Sequence, residues 1–97
     1  MSYIDEIANA IQERVDSNRL PEKPEVTGLF RLYALLVLTT GEETTRENVH
    51  DAWAVWMLGR DADHRSIEPF DELDPSTQSE DEPFRRAIIQ VARTRRA

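Results

Sequence analysis

The chain has no cysteine, a single lysine and three glycines, and none of its apolar runs approaches the ~20 residues that span a bilayer. Without cysteine there is no disulfide framework, no thiolate nucleophile and no Cys-type zinc site, a composition that suits a reducing cytoplasm. The N-terminus, MSYIDEIANA, lacks the basic region of a secretory signal, so a soluble cytoplasmic protein without membrane contact is expected. Basic residues are outnumbered: eleven arginines and Lys23 face nineteen carboxylates, and the formal net charge is −7. That balance opposes binding nucleic acid by neutralising its phosphates. The arginine bias, with many Ala, Asp, Glu and Val codons, points to a GC-rich source such as an actinobacterium or one of its phages.

What the chain has in quantity is apolar residues at helical spacing. The expected fold is all-α, a compact bundle of four main helices plus a short helical turn, in one domain over residues 1–97. The helices are predicted near 3–16, 27–39, 45–58 and 81–94. Ser2 is placed to cap the first, whose face is Ile4, Ile7, Ala8, Ile11 and Val15; residues 18–26, with Pro21 and Pro24, read as a connecting loop. The second, opened by Thr27 and stopped by Gly41, is apolar nearly all round and is expected at the centre. A buried strand through LLVLTT is the competing reading, but the run from Leu29 to Leu38 is long for a strand. Thr44 and Glu47 form the expected capping box of the third helix, and Asp74-Pro75 opens a short turn. Leu32, Leu36, Val49, Trp53, Phe84 and Ile88 are expected to be buried.

The stretch from Glu47 to Asp81 holds both histidines and both tryptophans. His50 and Trp53 stand three residues apart on one helix face, so an imidazole can hydrogen-bond a ligand on which the indole stacks. The plainer reading is that both hold the following loop, the histidine donating to a nearby carbonyl. Asp61, Asp63 and His64, with His50, match no metal-binding spacing, so neither metal nor cofactor is expected. The serines fall at caps and loops, which leaves no activated nucleophile and argues against an enzyme. Arg85, Arg86, Arg93, Arg95 and Arg96 make the last helix locally basic. Pairing of that tail with the acidic edge between copies would give a weak, salt-sensitive homodimer in place of a monomer.

The residues Glu47, Asn48, His50, Trp53 and Ala54, then His64, then Pro69-Phe70-Asp71-Glu72-Leu73 and Asp81, resemble the small repeat domain of ryanodine receptors. That domain also occurs free-standing in small bacterial and actinobacteriophage proteins. The resemblance covers residues 47–92 and leaves 1–41 as two additional N-terminal helices. It implies a non-catalytic binding module, some members being proposed sensors of nucleotide-derived ligands. Met57, the His64-Arg65 pair and the short Gly59–Asp63 connection depart from the family pattern.

Two functions are compatible with these features. In the first, a phage-type accessory protein engages a host protein through Trp56, Asp71, Glu72 and Asp74. In the second, a nucleotide-like small molecule is held near His50, Trp53, Arg60 and His64. The departures from the family pattern favour the first, and a pocket of ~300 Å³ or more at those four residues favours the second.

Overall fold

The structure is a computed structural model that describes residues 2–16 and 26–96. Five α-helices are present among the described residues: α1 (Tyr3–Gln12), α2 (Val26–Thr39), α3 (Arg46–Leu58), the short α4 (Pro75–Ser79) and α5 (Glu82–Arg96). Tight 3-10 turns occur at Gly41–Glu43 and Phe70–Glu72, and no strand occurs among the described residues. The loop expected over 18–26 lies, except for Val26, outside the described residues.

Both α2 and α5 pack on each of the other long helices. Their shared core is built from Ile7 and Ile11 of α1, Leu29, Phe30, Tyr33 and Ala34 of α2, Val49 of α3 and Ile88 of α5. Phe30 and Tyr33 meet edge to face at 5.4 Å, and Phe84 of α5 completes an aromatic triad with them. Of the residues expected inside, Val49 and Ile88 are fully buried, whereas Leu32, Leu36, Trp53 and Phe84 are half-buried. The second helix is central but not enclosed, since Leu35 and Leu38 on its outer face are 51% and 40% exposed. Three long neighbours do not cover the circumference of a fourth helix.

Helix boundaries follow local hydrogen bonding. The Ser2 hydroxyl accepts from the Asp5 backbone N–H, as predicted. α1 stops at Gln12 rather than near 16, because the amides of Arg14 and Val15 bond three residues back and tighten the last turn. The Arg14 guanidinium, just past the helix end, donates to the Ala10 carbonyl at 2.8 Å and supports its C-terminal dipole. Thr27 lies inside α2, which begins at Val26. Gly41 takes φ +56°, the left-handed geometry that lets the chain leave α2.

The capping box of α3 sits one residue later than expected. The Thr45 hydroxyl accepts from the Asn48 amide at 3.1 Å, and the Asn48 side chain accepts from the Thr45 amide at 2.9 Å. Thr44 is instead buried and donates its hydroxyl to the Gly41 carbonyl at 2.7 Å, closing the preceding turn. The Thr-Thr pair left either residue free to cap, and the turn claimed the first. Arg46, the first residue of α3, donates to Glu82 at 2.8 Å and so ties the starts of α3 and α5 together.

Candidate functional site

His50 lies in the second turn of α3, so the Thr45–Asn48 cap fixes its height along the bundle. It is only 3% exposed, and its Nε2–H donates to the Glu68 carbonyl at 2.7 Å. This bond draws the polar loop between α3 and the Phe70–Glu72 turn back onto the helix. In the same loop His64 Nδ1 accepts from the Ser66 amide at 3.1 Å, and the Gln78 side chain of α4 donates to the Phe70 carbonyl at 2.9 Å. The later part of the loop is therefore held by side chains that reach its backbone.

Aromatic rings line the resulting space. His50 stacks on Trp53 at 5.6 Å and 26°, and His64 meets the Trp53 edge at 5.1 Å and 82°. Between this group and the Tyr33–Phe84 pair opens a cleft of about 460 Å³, whose polar lining includes Ser66, Thr77, Glu80 and Asp81. The volume falls in the ~300–1,000 Å³ range of small-molecule sites.

Three polar groups in that lining have no internal partner. Among the described residues, His50 Nδ1, the Tyr33 hydroxyl and the Asp81 carboxylate make no hydrogen bond or ion pair. Tyr33 is 1% exposed, and burial, with the Asp81 charge, pushes its phenol well above the usual range. Asp81 occupies the cap position of α5, where its carbonyl accepts from the Arg85 amide, but its carboxylate caps nothing among the described residues. Burial, and then the neighbouring Glu80, push that carboxyl up to about 6, against the opposing influence of His50 and Arg46.

Of the four residues expected to hold a small molecule, His50, Trp53 and His64 come together on the cleft. Arg60 does not join them; its guanidinium lies over the Trp56 ring at 4.7 Å. Asp61 and Asp63 are exposed, and no group of three or more metal-ligating side chains forms among the described residues. On the other proposed surface, Asp71 and Glu72 are exposed in the 3-10 turn. Asp74 caps α4 by accepting from the Thr77 amide and the Ser76 hydroxyl, each at 2.8 Å. Trp56 is half-buried against the core, close to Gly28 of α2. Among the lining residues that sequence reasoning did not single out as a site are Tyr33, Glu80, Asp81 and Phe84. Tyr33 carried a signal in the sequence, as the one hydroxyl inside the apolar run from Leu29 to Leu38.

Fold and site together define an all-α domain with a mixed aromatic and acidic cleft. The chain matches the family Domain of unknown function (DUF7701) over residues 2–93 and belongs to it. No curated protein and no solved structure matches. The family match overturns the ryanodine-receptor resemblance, since no domain of that type is found. The residues that suggested it have local explanations. Asn48 completes a helix cap, and Pro69 to Leu73 forms a 3-10 turn, devices that unrelated helical proteins share. The matched unit also includes α1 and α2.

Proposed function

We propose that this protein is a non-catalytic binding module that holds a small organic molecule in the cleft between α3, α2 and the start of α5. The observation that carries this reading is the set of polar groups left unpaired in the lining, at His50, Tyr33 and Asp81. These atoms open onto the cleft, and a ligand that brings complementary groups pairs them in place of the water that reaches them there. Docking of a protein partner on the acidic edge has less to rest on. Asp74 is occupied as a helix cap, and Trp56, the expected anchor, is half-buried with Arg60 over its ring.

The test is two-dimensional amide NMR of the full chain against a library of small polar aromatics and amines. Binders are expected to move the indole N–H signal of Trp53 and the amide of Ser66 while leaving the Trp56 indole in place. Shifts confined to Trp56, Asp71 and Glu72 would transfer the function to the outer surface.

A further inference from the structure

The cleft is aromatic on its walls and negative at its mouth. Glu80 and Asp81 are in its lining and, among the described residues, no lysine or arginine is. Arg46, whose charge reaches Asp81, is itself engaged with Glu82 at 2.8 Å. A phosphate or carboxylate entering here would meet two like charges and, among the described residues, no lysine or arginine, a juxtaposition that disfavours anions. Nucleotides are therefore poor candidates on charge alone.

The hydrogen-bonding inventory points the same way. Because His50 Nε2 is a donor to the Glu68 carbonyl, the neutral ring presents Nδ1 as an acceptor. The Asp81 carboxylate is also an acceptor, as is Glu80, and the Tyr33 hydroxyl can act in either sense. His50 and Tyr33 are more than nine-tenths buried, line the cleft and find no partner for these atoms among the described residues. A ligand that satisfies the set must bring several N–H groups. Trp53, Tyr33 and Phe84 supply ring faces and edges for a flat body, and aromatic faces attract cations.

We infer that the cleft takes a flat organic cation, a ring system bearing an amidinium or ammonium group, with Asp81 as its counter-ion and His50 Nδ1 as a second acceptor. This rests on the ligand-binding reading above and specifies its chemistry. Bound this way, the cation pairs a carboxylate that the fold leaves unpaired, while the ring displaces water from the indole and phenyl surfaces.

Three probes of one shape and different charge test it: 2-naphthamidine, 2-naphthamide and 2-naphthoate, titrated calorimetrically into the full chain at pH 7.5. The amidine is expected to bind about tenfold tighter than the amide, with the naphthoate weakest. Asp81→Asn should weaken the amidine about tenfold and move the amide by less than about threefold. Circular dichroism checks that the variant folds. If it does not, Glu80→Gln and a pH series on the native chain read the same charge dependence. Amidine affinity should then fall as pH drops through about 6, where Asp81 takes up a proton. The groups facing Asp81 are His50 and Arg46 of α3, Tyr33 of α2 and the adjacent Glu80, with His64 in the same lining. Where Asp81→Asn folds, the part of the pH response that it removes belongs to the carboxylate.

Amide or naphthoate binding as tight as the amidine, with the Trp53 indole still responding, would overturn the cation assignment and leave the ligand-binding reading standing. Failure of all three probes to bind overturns the cation assignment. Failure of the whole library to move the Trp53 indole overturns the ligand-binding reading as well.

Discussion

Asp81 is held where its charge is expensive. Its carboxyl titrates near 6 in the fold, above the ordinary 3.8, so between those values the folded chain binds more protons than the unfolded one. Its contribution to stability is therefore fully present below pH ~4 and is lost as pH rises through about 6, the reverse of a salt-bridged aspartate. Asp81→Asn is expected to stabilise the protein at pH 7.5 by about 1 kcal/mol, a figure discounted for the partial exposure of the group. The gain should vanish near pH 4, as urea denaturation at the two pH values would show. A side chain that weakens the fold at neutral pH while lining a cleft is typical of sites where binding and stability compete. His50 has the opposite balance. His50→Ala removes the bond to the Glu68 carbonyl and should cost ~1–3 kcal/mol. Faster hydrogen exchange at the Ile67 amide, which bonds to the His64 carbonyl, would report the loosened loop.

At the level of elements, the acidic run after Pro69 divides into two kinds of residue. Asp71 and Glu72 are solvent-exposed and make no ion pair among the described residues, whereas Asp74 satisfies the first turn of α4 and is held below the usual carboxylate range by those bonds. Asp71→Lys and Glu72→Lys should each change stability by no more than ~0.5 kcal/mol. Asp74→Lys should cost ~1 kcal/mol through the lost cap, and denaturation midpoints of the three single variants would separate them. The glutamate that begins α5 has a further role. Glu82 receives Arg46, Arg85 and Arg86, with Arg46 the main cause of its lowered pKa, and so part of the arginine-rich last helix is engaged within the fold. Arg85 also donates to the Thr44 carbonyl at 3.2 Å, against the turn that precedes α3.

For the whole molecule, the core lies between α1, α2 and α5, where Ile88 meets Tyr33 and Ala34 from the middle of the long apolar run rather than Leu36 near its end. Ile88 is 0% exposed, while Leu36 packs only at the margin. Ile88→Ala should cost ~2–5 kcal/mol and Leu36→Ala distinctly less, since a half-buried site leaves little cavity. Equal losses in chemical denaturation would mean that α2, not the α2–α5 contact, carries the core. No helix among the described residues is long and apolar enough to cross a membrane, and Leu35, Leu38, Val55 and Leu58 stay exposed as part of the surface.

Local chemistry was legible in the residues themselves. Periodicity at 3.6 residues located four long helices, and Ser2, Gly41 and Asp74-Pro75 marked boundaries, because these signals act over three or four neighbours. The contact between His50 and the loop was also readable, since a histidine beside an apolar stripe needs a carbonyl and the loop was the nearest supply. Three of the site's side chains, His50, Trp53 and His64, could be grouped because they fall within one stretch of chain. Tyr33 and Asp81 could not. Tyr33 lies on α2, outside that stretch, and Asp81 ends it beyond α4 at no spacing that points to the rings; only the packing of α2 and α5 against α3 sets a buried phenol and a carboxylate beside them. Arg60 shows the converse, adjacent in sequence yet turned to Trp56, because the end of α3 directs it to the other side of the helix. A helix start is decided by bonds to its own next turn, whereas a cleft is decided by which faces three helices have left over, and that choice exists only once the core is packed.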